Sequence, residues 1–368
     1  MTATAWMLVI VVLAGVVCAW AGVFLVLRKG AMTADAISHA VLPGLVAAFW
    51  LSGSRNLLTG FLGALFAALL TVSLVEWLAQ RARLRQDTAL GLVFPAMFAL
   101  GVLWVSLAYQ DVHLDTDAVL FGDLTLAPFD RLTVNGQDFG PNSFWLMIAS
   151  LIIVGATTTL LHRPLLSSAF DESYAKLIGL KPAIANAALM TVVATAIVAA
   201  FTAVGAILAV ALVVVPATIG LLWRRAVLGV TLIAIGTAAA AATLGTGLAL
   251  QWDLSPAGMV VAVLGSLYGL SVLFAPERGW YARRVQAERA RMQDGVMALC
   301  AHLQRHAGTA DESTENTREH LQSELGWTEA RTNRILSTAQ QLGIIRESEG
   351  QIHYIGPVDS PTYPDKQP

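Results

Sequence analysis

The chain has 368 residues, 56% of them apolar and 13% charged, with a mean hydropathy of +0.64. Soluble domains carry about a quarter charged residues, which excludes an ordinary water-soluble enzyme. Residues 1–275 hold 12 Lys/Arg and 12 Asp/Glu, whereas 276–368 hold 11 and 13 at nearly three times the density. A membrane domain therefore precedes a water-soluble tail, and a strongly basic nucleic-acid-binding signature is absent.

Runs without charge and long enough to cross about 30 Å of hydrocarbon cover 5–27, 36–54, 57–75, 88–110, 139–161, 226–252 and 254–276. A further stretch, 183–223, has 41 residues and no charge. It predicts two crossings joined by a tight turn near Phe201–Gly205; a tilted helix plus a re-entrant half-helix ending near Pro216 also fits. The fold class is an all-α polytopic membrane protein with eight or nine transmembrane helices, nine being preferred. The membrane domain spans 1–276.

Lysine and arginine set the orientation, because cytoplasmic flanks retain positive charge. Arg28/Lys29, Arg81/Arg83/Arg85, Arg163/Lys176/Lys181 and Arg224/Arg225 fall on one side. The other keeps only Arg55 and Arg131, and its longest loop, 111–138, holds six aspartates. Nine crossings with the N-terminus outside satisfy this alternation and leave the tail in the cytoplasm. The first span lacks a basic leader and is followed by Arg28-Lys29, so it reads as a retained helix and not a signal peptide. Cys18 and Cys300 fall on different elements and imply no disulfide framework.

A charge inside a span is costly and marks function by default. Asp35 and His39, within Ala31–Gly44, lie four residues apart and so share a helical face. A carboxylate beside an imidazole makes half a site for Mn²⁺, Fe²⁺ or Zn²⁺, and a symmetry mate or water can supply the rest. Ser38 is a candidate to orient the ring, and Pro43-Gly44 would loosen the helix. Blander readings stay open: Asp35 as an acid at a helix N-terminus, His39 as a satisfied bundle histidine. Glu76 reads as an interfacial partner of Arg81. His113 and His162 fall at water-exposed ends, and the loop aspartates read as a solvated face that can also attract cations. No G-x-x-x-x-G-K-[ST], H-E-x-x-H or C-x-x-C occurs. The chain is a conduit without its own P-loop.

Leu25-Val-Leu-Arg-Lys followed by Asp35-Ala-Ile-Ser-His-Ala-Val-Leu-Pro-Gly44 resembles the permease subunit of bacterial ABC importers for manganese, zinc or iron. The likeness continues through Gln86–Phe94, Val119–Leu124, Phe170–Gly179, Val204–Leu208, Val215-Pro-Ala and Asp253–Gly258. It implies that Asp35 and His39 lie in the translocation path. It also implies that Asp171, Glu172, Ala175, Lys176 and Gly179 belong to a cytoplasmic coupling helix that docks on a separate ABC ATPase subunit, which hydrolyses the ATP. Read without the family, 170–180 is an ordinary amphipathic linker. The implied partners are that ATPase, an external solute-binding protein and a second permease copy or paralogue. The metal is cargo, and no permanently bound cofactor is implied. Two other classes compete: an ion-gradient-driven metal transporter and a membrane-anchored regulator.

The last span is expected to continue from Tyr281 as a juxtamembrane helix, within a segment 277–307 whose arginines would meet anionic lipid. In 308–356, a polar loop from Gly308 to Asn316 precedes a short helix ending at Leu325-Gly326. A second helix opens at Thr328 and closes at Gly343, and Ile344–Ile355 reads as a hairpin around Glu349-Gly350. This order is similar to the DNA-binding winged helix-turn-helix of iron-dependent metalloregulators. Yet 309–368 hold five Lys/Arg against ten Asp/Glu, which disfavours DNA and favours a regulatory or protein-contact role. Metal sensing through His302, His306 or His320 competes with the simpler reading of solvated surface histidines. Residues 357–368 read as a disordered tail.

Overall fold

The computed structural model describes residues 2–52, 57–108, 124, 127–134, 137–309, 312–348 and 350–356. The chain divides into two compact units, Met1–Gly279 and Trp280–Pro368.

In the first unit, α1 (Ala3–Leu27), α2 (Ala31–Ala40), α3 (Leu42–Ser52), α4 (Leu57–Ala82) and α5 (Gln86–Ala108) precede a two-stranded antiparallel ribbon. That ribbon, β1 (Arg131–Val134) and β2 (Gln137–Pro141), leads into α6 (Asn142–Leu160), α7 (His162–Phe170) and α8 (Glu172–Leu177). The unit ends with α9 (Pro182–Val204), α10 (Ala206–Trp223), α11 (Val227–Trp252) and α12 (Pro256–Phe274). With α2 and α3 taken as one span, nine helical stretches among the described residues are long and apolar enough to cross a membrane. The 41-residue apolar stretch divides at Gly205, whose φ of +86° ends α9. Pro216 sits inside α10, which runs on to Trp223, so the half-helix alternative is not realised.

Helix α1 is the centre of this unit, packed on α6, α9, α10 and α11. Lipid gives little hydrophobic drive between helices, so close backbone approach at small residues must hold them together. A Cβ on Gly22 would lie 1.9 Å from the Val213 carbonyl oxygen. The same holds where α3 crosses α4: a Cβ on Gly44 would fall 2.1 Å from the Gly63 carbonyl oxygen, and one on Gly63 2.4 Å from that of Gly44. Hydroxyls in the spans mostly donate back to their own helix, as Thr71 does to Ala67 (2.8 Å) and Thr231 to Val227 (2.9 Å). Those hydroxyls then need no interhelical partner.

Two local expectations change. The long aspartate-rich loop contains the ribbon, in which Arg131 pairs with Asp138 at 3.0 Å and Asp130 accepts from the Asn142 amide at 3.0 Å; positions 111–123, with His113, lie outside the described residues. The last span also does not continue into the tail. It stops at Phe274 because Pro276 holds Ala275 extended (ψ 133°), and a new helix starts at Trp280.

The second unit contains α13 (Trp280–His306), α14 (Glu312–Glu315), α15 (Arg318–Glu324), α16 (Glu329–Gln341) and the antiparallel hairpin β3 (Ile345–Ser348) with β4 (Gln351–Tyr354). Its core joins Val296, Leu299 and Leu303 of α13 to Leu321, Ile335, Leu336, Ile345 and Ile352. Thr328 holds the N-cap position of α16 without a side-chain capping hydrogen bond, and Gly343 leaves the helix at φ +70°. Helix α14 forms where the polar stretch predicted only loop. The disorder expected for 357–368 falls outside the described residues.

Candidate functional site

Helix α2 begins after a tight bend in which Lys29 takes φ +60°. Asp35 is its fifth residue, past the first turn, so attraction to a helix N-terminus does not account for it. His39 Nε2 stands 3.5 Å from Asp35 Oδ1, and both side chains are part-exposed. The imidazole packs against two rings of α5, Phe94 and Phe98, at centroid distances of 6.3 and 6.0 Å. An oxygen and a nitrogen ligand thus sit side by side with their outer faces open. Ser38 does not orient the ring: its buried hydroxyl donates to the Asp35 carbonyl oxygen at 2.7 Å. Straight after His39 the helix breaks at Val41, and Pro43 lies in the first turn of α3.

Glu76 does not pair with Arg81. Its carboxylate accepts from the Asn186 amide, and the Asn186 carbonyl oxygen accepts from the Arg28 guanidinium, which also donates to Ser168. One chain of polar contacts therefore links the end of α1 to α4, α7 and α9. The sequence reading missed it, although Asn186 is the one side-chain amide in the uncharged run 183–223. His162 is exposed and meets Phe24 edge-on at 6.4 Å.

Residues 171–179 form a short, well-capped helix. Asp171 accepts from the Tyr174 N–H at 2.9 Å, Lys176 pairs with Glu172 at 2.8 Å, and Gly179 ends the turn at φ +80°. Ala175 is fully buried beneath it. On the outside, Phe170, Tyr174, Leu177 and Ile178 are exposed, with Leu177 85% accessible. This is a polar segment with an uncovered apolar rim.

The ABC 3 transport family profile matches residues 1–275. The zinc transport system membrane protein TroD of Treponema pallidum is 36% identical over 336 residues, 91% of each chain. That likeness therefore takes in part of the second unit. The manganese transport system membrane protein MntD of Bacillus subtilis is 34% identical over 295 residues, 79% of this chain and all of that one. The structure of PsaBC from Streptococcus pneumoniae in complex with Fab shares the fold, with a TM-score of 0.65 at 24% identity over 78% of this chain and 96% of that chain. The chain belongs to the ABC 3 transport family, and it is a multi-pass membrane permease subunit, not an enzyme.

Proposed function

We propose that this permease subunit carries divalent transition-metal ions (Mn²⁺, Zn²⁺ or Fe²⁺) into the cell in an ATP-driven importer, with Asp35 and His39 as its transient cargo ligands. The observation that carries the reading is the 3.5 Å Asp35–His39 pair on a helix broken two residues later. Two protein ligands are too few to hold an ion permanently, which suits cargo that must leave. A second permease copy or paralogue supplies the facing pair. The relatives named for zinc and manganese transport agree with this ligand chemistry.

The segment Asp171–Gly179 is the coupling helix in this reading. Its exposed Tyr174, Leu177 and Ile178 suit a separate ABC ATPase as cover, and Glu172 and Lys176 suit its polar rim. An external binding protein delivers the ion, the N-terminus faces outside, and the second unit is a cytoplasmic winged helix-turn-helix that contacts protein in preference to DNA. The test is ion uptake by the complex reconstituted with its ATPase. Asp35→Ala and His39→Ala should each abolish uptake without loss of assembly; normal uptake in both removes the site assignment. Uptake by the chain alone under an ion gradient would instead favour a secondary transporter.

A further inference from the structure

The second unit holds a side-chain cluster that transport does not use. His302 of α13, Glu315 of α14, and His320 and Glu324 of α15 each offer one ligand-type atom, and these atoms all lie within 4.8 Å of one another. His302 is not the solvated histidine expected from sequence, since its side chain is only 4% accessible. Its Nδ1 stands 3.4 Å from Glu324 Oε2, and its Nε2 stands 3.3 Å from the Glu315 carbonyl oxygen. His320 Nε2 meets a carboxylate oxygen of Glu315 and, at 2.7 Å, one of Glu324.

Hydrogen bonding alone serves this group poorly. Two carboxylates converge on one ring nitrogen that has a single proton to give, and their negative charges repel. An N–H at His302 Nε2 donating to the Glu315 carbonyl turns the Nδ1 lone pair towards Glu324, as backbone carbonyls orient metal-bound histidines. Bonds of about 2.0–2.2 Å from nitrogen and oxygen put tetrahedral ligand atoms about 3.3–3.6 Å apart, close to the 3.4 Å between His302 and Glu324; the 2.7 Å from His320 to Glu324 is a hydrogen-bond distance that a bound ion would widen. The His306 ring lies 4.8 Å from that of His302 and closes one side.

We propose that His302, Glu315, His320 and Glu324 form a second metal site, which takes one divalent first-row transition ion. Two imidazoles with two carboxylates suit Zn²⁺, Mn²⁺ or Fe²⁺ and exclude a soft thiolate-seeking ion. A bound ion ties α13 to α14 and α15. It also stiffens their link to the hairpin, where the Ile352 N–H donates to the Asn316 carbonyl at 3.0 Å. The site stands on its own ligand geometry and does not depend on the cargo assignment.

The test uses the full-length chain in detergent, stripped with chelator and titrated with Zn²⁺ and then Mn²⁺. Bound metal is measured per chain in an Asp35→Ala/His39→Ala background, which separates this site from the transport pair. One tightly held equivalent is expected there. Glu324→Gln and His320→Gln, both at part-exposed positions, should weaken it beyond the about 10–100-fold that loss of an outer-shell partner costs. No bound equivalent in that background, or unchanged affinity in both added variants, overturns the proposal.

Discussion

Arg28 and Glu76 do not touch; Asn186 stands between them, accepting from one with its carbonyl oxygen and donating to the other with its amide. A neutral amide can face a cation and an anion at once, which neither a second acid nor a second base could do. Asn186→Ala should destabilise the folded chain by about 1.5–3 kcal/mol, the range for hydrogen bonds to charged groups, with the lower end expected because the ends are part-exposed. Asn186→Asp should be worse in activity, since it sets a carboxylate against Glu76. Thermal unfolding in detergent, beside uptake, checks both.

The crossing of α3 and α4 predicts a sharp contrast among neighbouring glycines. Gly44→Ala and Gly63→Ala push a methyl into a facing carbonyl and should cost about 1–3 kcal/mol, the size of core overpacking. Gly60→Ala meets nothing nearer than the Leu45 side chain at 3.6 Å. It should be neutral or stabilise the helix by up to about 1 kcal/mol. Yield and thermal midpoint of the three variants distinguish these outcomes.

The apolar rim of α8 gives a third. Leu177→Asp removes no buried contact, so the chain should fold and insert as before, yet co-purification with the ATPase should fall at least tenfold. Unchanged co-purification would move the docking surface elsewhere.

A fourth concerns pH. Arg318 grips Glu347 through two hydrogen bonds, 2.7 Å from Nε and 2.6 Å from Nη2, and this holds the Glu347 carboxyl below its ordinary 4.5. A lowered folded value means the contribution is present above about pH 4.5 and is lost as pH falls through the folded value. The pair is surface-exposed, so its worth is about 0.2–1 kcal/mol. Arg318→Ala should therefore lower the unfolding midpoint of the tail unit slightly at neutral pH, and by less as the pH falls through the folded value of Glu347; the Arg318–Asn333 hydrogen bond (2.9 Å) is lost at either pH.

The spans were legible because lipid demands one composition for about 20 residues together, and Gly205 marked the turn in the long apolar stretch. Asp35 and His39 met because helical periodicity is local, and four residues decide it. What stayed hidden depends on distant partners. Asn186 reaches Glu76 across 110 residues of sequence, and His302 gathers Glu315, His320 and Glu324 only once α13 folds back on the short helices. A buried histidine and a solvated one look alike in a polar segment. The end of α12 was readable in principle from Pro276, whose ring restricts Ala275, but the surrounding helical pattern masked it.

Pro43 has a quieter effect on the Asp35–His39 pair. Pro43 has no N–H to give to the carbonyl four residues back, and that carbonyl belongs to His39. The residue that offers an imidazole nitrogen therefore also lacks the backbone donor that an ordinary helix would place on its oxygen. In hydrocarbon such an oxygen is expensive to leave dry. At the level of His39 that oxygen therefore calls for a donor from a neighbouring side chain, from water or from a local tightening of the helix, whether or not an ion is passing.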